Sequence, residues 1–316
     1  MSCLITGVAG FIGSHLAERL LEEGLQVIGV DLFLHNYPKR VKEANLKNLL
    51  PNPRFKFIEG NIIGLDLKKL LSKVEVVFHQ AALPGVRSSW GKDFKEYVEN
   101  NILATQILLE VCKGIKLKKF IYASSSSVYG DSDKFPLKED FLPNPVSPYG
   151  VSKLAAEHLC VLYYKNYGVP TVSLRYFTVY GPRQRPDMAF QGFFTSLLLD
   201  RGIEVYGSGA QTRDFTFISD AVEANLLAMN KGKEGEVYNI GGGSRISLIE
   251  AVGLMEEIAE KKAKVEYREP QKGDVKHTYA DISKAKIELG CSPKVNIQDG
   301  LREHYRWLKG SLDIYR

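Results

Sequence analysis

Tyr149 and Lys153 stand four positions apart and are the pair in this chain best suited to remove a proton from an alcohol. At this spacing on a helix, the two side chains lie on one face, one turn from each other. A phenol with a pKa of about 10 is a poor base near neutral pH, but a neighbouring ammonium group stabilises the phenolate. Taken alone, the pair is as often a coincidence on a helix surface.

A hydroxyl-rich turn precedes this pair. Residues 120–124 form an apolar strand pattern, and the run of serines at 124–127 follows at its predicted carboxyl end. A serine at this place, such as Ser125, can share a short hydrogen bond with a substrate hydroxyl and relay its proton to the tyrosine. The two motifs together predict a site for proton abstraction.

A phosphate cradle is predicted at the start of the chain, where the apolar residues 2–6 run into Gly7, Gly10 and Gly13. Glycine removes the Cβ atom that would keep the backbone away from a pyrophosphate. The helix predicted at 14–23 offers unpaired N–H donors and a partial positive charge. The next strand, residues 27–30, delivers Asp31 where its carboxylate can accept both hydroxyls of an adenosine ribose.

These features indicate a nicotinamide dinucleotide, and Asp31 favours NAD over NADP because it would repel a 2′-phosphate. Lys39 and Arg40 follow several positions later, and the sequence leaves open whether they lie on a flexible loop. The positive nicotinamide ring would add to the effect of Lys153 in stabilising a phenolate at Tyr149.

Strand and helix patterns alternate through the first half of the chain. Strands are predicted at 55–58, 74–79 and 171–175, and helices at 94–112 and 149–167. The alternation predicts an α/β fold with a Rossmann-type, doubly wound parallel sheet. We expect residues 1–180 to form the NAD-binding domain and residues 181–316 a smaller substrate-binding lobe, with a segment near 235–240 returning to the main sheet.

Composition excludes several other classes of protein. The 316 residues are 44% hydrophobic and 25% charged, with a net charge of +5 and no basic block of the kind that binds nucleic acid. No apolar run approaches the ~20 residues of a membrane span. The four scattered cysteines favour reduced thiols in a cytoplasmic protein, and the histidines have no metal-ligand spacing, so we expect no metal site.

The chain resembles the extended short-chain dehydrogenase/reductases, in particular the nucleotide-sugar epimerases, over nearly its whole length. The shared motifs are G-x-x-G-x-x-G at 7–13, H-Q-A-A at 79–82, N-N at 100–101, S-S-S-S-V-Y-G at 124–130, Y-x-x-x-K at 149–153, R-Y-F at 175–177, R-D-F at 213–215 and N-I-G at 239–241. Within that group, P-G-V-R-S-S-W at 84–90, G-P-R-Q-R-P-D-M-A-F at 181–190 and Q-K-G-D-V at 271–275 look most like UDP-glucuronate 4-epimerases.

The resemblance implies a role for each matching residue. NAD would be held by Gly7, Gly10, Phe11, Ile12, Gly13, Asp31, Asn61, Ile62, Gln80, Ala81, Ala82, Asn100, Tyr149, Lys153 and Phe177. The catalytic residues would be Tyr149, Lys153 and Ser125, and the nucleotide-sugar would be bound by Arg87, Ser126, Thr178, Arg185, Tyr206 and Arg213. Asn61 departs from the family, which has Asp there, although its amide can still hydrogen-bond the adenine amino group.

The function implied is NAD-dependent epimerisation at C4 of a UDP-hexuronic acid, UDP-glucuronate to UDP-galacturonate, through a 4-keto intermediate. UDP-glucose/UDP-galactose 4-epimerase activity is the alternative, because both reactions need the same tyrosine, lysine and hydroxyl. Decarboxylation and dehydration are disfavoured, because those relatives carry acids where this chain has Ser126 and Ser127. A non-catalytic NAD-binding sensor would typically have lost the tyrosine or the lysine. The family also implies a homodimer, formed through the helices near 94–112 and 149–167.

Overall fold

A twisted parallel sheet forms the centre of the molecule in the computed structural model, which describes residues 1–315. The strands are β1 (Ser2–Thr6), β2 (Gln26–Asp31), β3 (Phe55–Glu59), β4 (Val76–His79), β5 (Lys119–Ser125), β6 (Thr171–Tyr176), β7 (Thr178–Tyr180), β8 (Gly202–Tyr206), β9 (Thr212–Phe217), β10 (Val237–Ile240), β11 (Arg245–Ser247) and β12 (Lys264–Arg268). Seven of them pair in the order β10-β6-β5-β4-β1-β2-β3. All of these pairs are parallel, as predicted for a doubly wound sheet.

The strand order reverses at β1, which pairs with β2 on one side and β4 on the other. Its residues Cys3, Leu4 and Ile5 are completely buried, because helices cover both faces of the sheet. In such sheets ligands bind at the carboxyl ends of the strands, next to the reversal. This edge is where the glycine turn and the serine turn both lie.

The helices alternate with the strands. They are α1 (Phe11–Glu22), α2 (Lys39–Leu46), α3 (Leu67–Leu71), α4 (Phe94–Tyr97), α5 (Ala104–Cys112), α6 (Pro148–Tyr167), α7 (Ala189–Leu198), α8 (Ile218–Lys231), α9 (Leu248–Ala259) and α10 (Ile297–Tyr315). A π-helical segment, Val98–Leu103, joins α4 to α5, so the helix predicted at 94–112 is one element with a bulge. Helix α1 begins three residues before its predicted start, because Gly10 already takes the N-cap position.

The sequence left open whether Lys39 and Arg40 lie on a flexible loop, and the structure places both in helix α2. Both residues begin a regular helix after Pro38, whose fixed φ suits a helix start. Lys42 on the same helix is 4% exposed, so this helix forms part of the interior. Its position places a lysine close to Asp31, where the sequence suggested none.

Smaller sheets lie beyond residue 177. Strands β11, β9 and β7 form one, and β12 pairs with β8 in another. Strand β10 pairs in parallel with β6, so the chain returns to the main sheet at Val237–Ile240. The α/β fold with a main parallel sheet is confirmed, whereas the division into domains at residue 180 stays a prediction.

Three further features concern the cysteines, membrane-spanning helices and metal sites. All four cysteines are buried free thiols. Within residues 1–315, no helix combines the length and the apolar character needed to cross a bilayer. The same residues contain no group of three or more side chains arranged to hold a metal ion. The cytoplasmic location stays a prediction.

Candidate active site

Two cavities open at the carboxyl ends of the strands and share one wall. The first, which we call the glycine-loop cavity, runs from the turn at Gly7–Gly13 past Asp31 to Lys153. The second, which we call the arginine cavity, lies between the turn at 84–88, the serine turn and the segment 178–189. The residues common to both are Phe11, Ile12, Pro84, Ser124, Tyr149, Tyr176 and Arg185. Tyr149 and Arg185 therefore lie where the two cavities meet.

Helix α6 places Tyr149 and Lys153 at this junction. Its N-cap is Ser147, whose Oγ accepts a hydrogen bond of 3.1 Å from the Gly150 N–H, and Pro148 occupies the first helical position. The helix ends at Gly168, which adopts a left-handed conformation with φ of 68°. Because Tyr149 lies in the first turn, the partial positive charge of the helix N terminus favours negative charge on its oxygen.

Burial is the main influence on the electrostatics of Tyr149. Desolvation favours the neutral form of the phenol and raises its pKa, while a hydrogen bond with Ser125 and the charge of Arg185 act in the opposite direction. The stabilisation of a Tyr149 phenolate by Lys153 and the nicotinamide ring stays a prediction.

Lys153 is 2% exposed, and its burial lowers its pKa to about 7, against smaller raising effects of Cys160 and Glu157. The ammonium lies 4.4 Å from the centre of the Tyr122 ring. An amine of this kind carries a partial charge near neutral pH and gains charge whenever an anion forms beside it. The site therefore holds a buried phenol and an easily ionised amine one turn apart on the same helix.

A buried network missed by the sequence analysis fixes helix α6 against the sheet. Arg175 on β6 donates two hydrogen bonds to the Glu157 carboxylate, from Nε at 3.0 Å and from Nη2 at 2.6 Å. The Ser124 hydroxyl donates to Glu157 Oε2 at 2.6 Å. Glu157 and Arg175 are 2% and 4% exposed, so each buried charge requires the other as its partner. Arg175 was noted only as part of a motif, and nothing in the sequence linked it to Glu157.

A second missed network connects the π-helical segment to helix α6. The Asn101 amide donates to the Leu83 carbonyl at 3.0 Å and to the Ser152 hydroxyl at 2.9 Å, and its oxygen accepts from the Leu83 N–H at 2.7 Å. The Ser152 hydroxyl in turn donates to the Tyr149 carbonyl at 2.8 Å. Asn101 therefore ties the wall of the glycine-loop cavity to the helical turn that carries Tyr149.

The glycine turn fits a dinucleotide phosphate. Cβ atoms at Gly7 and Gly13 would collide with neighbouring backbone, at Ala81 and at the Gly7 carbonyl respectively. A Cβ at Gly10 has one close neighbour, the Gly7 oxygen at 3.0 Å, and Gly10 lines the cavity. No side chain caps helix α1 and no acidic residue lies in its first turn, so its N–H groups and positive end remain available for an anion.

Asp31 ends β2 at the wall of this cavity. Its two oxygens accept hydrogen bonds from the backbone N–H groups of Ala9 at 3.0 Å and Phe33 at 2.8 Å. Burial raises the pKa of Asp31, and these two bonds and the charge of Lys42 act against that rise. Each oxygen keeps a lone pair for a ribose hydroxyl. The Lys42 ammonium is already bound to the Leu34 carbonyl at 2.7 Å and to Asn36 Oδ1 at 3.1 Å.

Hydrogen bonds fix two other residues that are expected at the cofactor, Asn61 and Gln80. The Asn61 side chain accepts a hydrogen bond of 3.0 Å from the Ile63 N–H, which fixes the short turn beside Ile62. The Gln80 amide donates to Asn225 Oδ1 at 3.0 Å. Its side chain is thus held by helix α8, and its backbone follows the cavity wall with Ala81 and Ala82.

The arginine cavity gathers charged and aromatic groups. Arg87 pairs with Asp274, Nη2 to Oδ2 at 2.7 Å, and its guanidinium lies 4.2 Å from the centre of the Tyr206 ring. Burial is the largest influence on Arg213 and lowers its pKa. Arg213 also lies near both partners of this pair, because Asp274 raises its pKa and Arg87 lowers it further. Planar guanidinium forks of this kind suit phosphate and carboxylate oxygens. Asp274 was not among the expected site residues.

Arg185 faces Tyr149 from the turn between β7 and α7. Its Nε and Nη2 donate to the two oxygens of Asp187 at 3.0 and 2.7 Å. The hydroxyls of Ser125, Ser126 and Thr178 line the same cavity. The structure thus brings an arginine and several hydroxyls together beside the tyrosine, as the sequence predicted.

Nearly all of the predicted site residues line the cavity at which they were expected. Fourteen of the fifteen residues expected at the cofactor line the glycine-loop cavity. All six residues expected at the nucleotide-sugar line the arginine cavity, together with Ser125. Phe177 differs, because it lies on the arginine cavity and packs against Tyr129 with ring centres 6.2 Å apart. The chemical roles of these residues stay predictions.

Comparisons with known proteins agree with this geometry. Residues 3–241 match the model of the NAD dependent epimerase/dehydratase family. The chain belongs to that family. It is 46% identical over 310 residues to the uncharacterized UDP-glucose epimerase YtcB of Bacillus subtilis (strain 168), covering 98% of both chains. It is 38% identical over 318 residues to the UDP-glucuronate 4-epimerase of Thermodesulfobacterium geofontis (strain OPF15), covering 99% of this chain and 98% of that protein.

The UDP-glucuronic acid 4-epimerase of Bacillus cereus, crystallised with UDP-glucuronic acid and NAD, is a similar solved structure. It superposes with a TM-score of 0.96 at 49% identity, over 98% of this chain and 100% of that one. The predictions of the family, the fold and the cofactor class are thereby confirmed. In an NAD dependent epimerase/dehydratase, the glycine-loop cavity is the one whose residues fit a dinucleotide.

Gly10→Ala tests that assignment. A methyl group there meets one backbone oxygen and otherwise enters the cavity, so we expect the affinity for NAD to fall at least about tenfold, while the free energy of unfolding changes by about 1 kcal/mol or less. The measurements are NAD titration by calorimetry and urea unfolding.

Gly253→Ala is the matched control, because it lies within helix α9 with no atom within 4 Å of the added Cβ. We expect it to bind NAD as the unaltered protein does. Undiminished NAD affinity in Gly10→Ala would contradict the placement of a phosphate at this turn.

Proposed function

We propose that this protein interconverts UDP-glucuronate and UDP-galacturonate by NAD-dependent epimerisation at C4. The observation that carries the proposal is the junction of the two cavities, where Tyr149 and Arg185 line both. A base at the junction can reach a sugar hydroxyl while the cofactor lies on its other side. An arginine at the same point offers a partner for the carboxylate that distinguishes a hexuronate from a hexose.

Tyr149, ionised to the phenolate, is proposed as the base that takes the proton of the 4-hydroxyl and becomes a phenol. NAD, when bound, supplies a hydride acceptor that stores the hydrogen of C4 and returns it, so that a 4-keto sugar forms and is reduced again. Ser125 lies beside the phenol and offers a path for the proton. Lys153, in its ammonium form, stabilises the phenolate.

The arginine cavity is proposed to hold the UDP group while the sugar turns. Arg87 and Arg213 provide charge for two phosphates, and the Tyr206 ring beside Arg87 gives a flat apolar surface. Both faces of the keto sugar must meet the cofactor in turn, so the grip belongs on the diphosphate and not on the ring. The sugar end of the cavity is correspondingly lined by short side chains such as Ser125, Ser126 and Thr178.

The carboxylate must be restrained, because a 4-keto uronate is a β-keto acid that readily loses CO2. We propose that Ser125, Ser126, Thr178 and Arg185 hold it by hydrogen bonds, out of the alignment that breaks the C–C bond. The serines at 126 and 127 stand where decarboxylating and dehydrating relatives carry acids. The residue types at this turn therefore favour epimerisation.

UDP-glucose/UDP-galactose epimerisation is a second candidate, favoured by one observation. Arg185 is already paired with Asp187, so a sugar without a carboxylate meets a neutralised arginine. The same tyrosine, lysine and serine would serve both reactions.

A homodimer is proposed through the surface formed by the π-helical segment, α5 and α6. Helices α5 and α6 pack against each other, and the surface exposes the apolar side chains of Val98, Leu103, Val151, Leu162 and Tyr167, each 37–57% exposed. Apolar groups concentrated on two adjacent helices favour burial against a second copy of the same surface.

The decisive experiment incubates purified protein with UDP-glucuronate and no added reductant. We expect UDP-galacturonate to appear, and we expect Tyr149→Phe to lower kcat at least about 10³-fold while NAD affinity stays within threefold, because the ring keeps its packing and loses only the proton acceptor. Product identification by chromatography and NAD titration are the two measurements.

Tyr163→Phe is the matched control, because Tyr163 lies on the same helix and bonds Glu110, outside both cavities. It should keep kcat within a few-fold. An active Tyr149→Phe would rule out Tyr149 as the base. No turnover by the unaltered protein would instead favour a non-catalytic NAD-binding role for this site.

Arg185→Ala is expected to lower kcat/KM for UDP-glucuronate about tenfold or more, which is the effect of losing a charge-assisted hydrogen bond. It should also release UDP-pentose and CO2, because the keto uronate is no longer restrained. Mass spectrometry of the nucleotide products measures both effects. Arg201→Ala, a change of the same type outside both cavities, is the control. Unchanged turnover without any pentose would defeat the proposed role of Arg185.

Leu162→Asp is expected to convert a dimer to a monomer, because a charge in an apolar helix interface is costly to bury. Light scattering coupled to size-exclusion chromatography measures the mass. Ile287→Asp, at a residue 81% exposed on the segment 285–289, should leave the mass unchanged. A monomeric unaltered protein would refute the proposed interface.

A further inference from the structure

Arg185 meets Asp187 in the same geometry that a substrate carboxylate would adopt. Nε and Nη2 of the guanidinium each donate to a different oxygen of Asp187, at 3.0 and 2.7 Å. This two-bond arrangement is the one that arginine forms with any carboxylate. A hexuronate that binds Arg185 in this way must displace Asp187.

The pair is built so that it can open. The side chain of Asp187 is 49% exposed, whereas that of Arg185 is 19% exposed. A released Asp187 carboxylate can turn into water, and partly exposed ion pairs of this kind contribute little to stability. Arg185 cannot follow it, because its side chain lies in the shared wall of the two cavities.

The turn that carries the pair is anchored on both sides. Arg183 bonds Glu18 at 2.5 Å and Ser14 at 3.2 Å on helix α1. Gln184 is 1% exposed and joins the Val179 carbonyl to the Gln191 N–H. The backbone at 183–184 is therefore fixed, and exchange of the partner of Arg185 requires only rotation of the Asp187 side chain.

We propose that Asp187 is a specificity-determining residue, an internal carboxylate that competes with the hexuronate carboxylate for Arg185. This inference rests on the proposed function. With Asp187 bound, the pocket presents a neutralised arginine to a hexose whose C6 bears a hydroxyl. Without Asp187, that hexose would leave a largely buried guanidinium uncompensated, which is unfavourable. Asp187 thus weakens the binding of UDP-glucuronate and allows the binding of UDP-glucose.

Asp187→Asn removes the charge and keeps the shape. We expect kcat/KM to rise about two- to fivefold for UDP-glucuronate, mostly through KM, which is the effect of losing a partly exposed competing ion pair. For UDP-glucose it should fall by a similar factor, so that the ratio of the two changes about four- to twenty-fivefold. Steady-state kinetics with both sugars measures the ratio, and Asp187→Ser provides a second variant.

Glu266→Gln is the matched control. Glu266 pairs with Arg268 at 2.8 Å and lines neither cavity, so the change removes the same charge without touching Arg185 or a residue proposed to bind the substrate. Its ratio should stay within twofold of the unaltered protein. An equal change in Glu266→Gln would assign the effect to the net charge of the protein and would overturn the proposal.

A double-mutant cycle separates this role from support of the turn. Dissociation constants for both UDP-sugars are measured by calorimetry in proteins that carry Tyr149→Phe, so that no turnover occurs. Asp187→Asn should change the ratio of the constants when Arg185 is present and leave it unchanged in Arg185→Ala, because Asp187 acts through the arginine.

The possible failures are distinguishable. An unchanged ratio in Asp187→Asn, or an equal change with and without Arg185, overturns the role of Asp187 and leaves the proposed function intact, provided the unaltered protein converts UDP-glucuronate. An unaltered protein that converts UDP-glucose alone overturns both the proposed function and this inference.

Discussion

The burial of charge beneath helix α6 is the constraint on which the rest of the site depends. Lys153, Glu157 and Arg175 are all at most 4% exposed, and each ion loses several kcal/mol of hydration when it leaves water. Glu157 and Arg175 recover that loss only in a two-bond geometry, so helix α6 can sit against β5 and β6 in one register. Since Tyr149 and Lys153 lie on the same helix, the ion pair positions them although neither Glu157 nor Arg175 lines a cavity.

The walls of the two cavities differ in how closely they are packed and how far they are exposed. One wall of the glycine-loop cavity is the turn at Gly7–Gly13, and the close contacts at Gly7 and Gly13 leave no room there for rearrangement. The wall of the arginine cavity includes an ion pair that bridges separate segments, Arg87 with Asp274, and these partners are 30–47% exposed. A tightly held cofactor needs the first kind of wall, whereas a substrate that enters, turns and leaves needs the second. Tyr149 stands where the two kinds meet.

Sequence reasoning was accurate where structure is local. The glycine turn, the start of α6 near residue 149 and the helix at 94–112 are each specified by a few consecutive residues, so their existence could be predicted. The burial that raises the pKa of Tyr149 could not be predicted, because desolvation depends on residues far away in sequence. Phe177 lies on the arginine cavity, where tertiary packing and not a local motif places it. Glu157, Asn101 and Asp187 were missed because each matters through a partner that no spacing rule connects to the site.

The turn at 181–187 is bonded to the first half of the chain, although it follows the predicted domain boundary at residue 180. Arg183 joins this turn to helix α1, the helix that begins at the phosphate cradle, through Glu18 and Ser14. Arg185 thus holds its position relative to the cofactor cavity even though it follows the last strand of the first half. A base and a carboxylate-binding arginine can cooperate only if their separation is fixed to well under 1 Å. Under the proposed function, the anchored turn provides the rigidity that the chemistry requires, and rotation of the Asp187 side chain would provide the exchange that substrate binding requires.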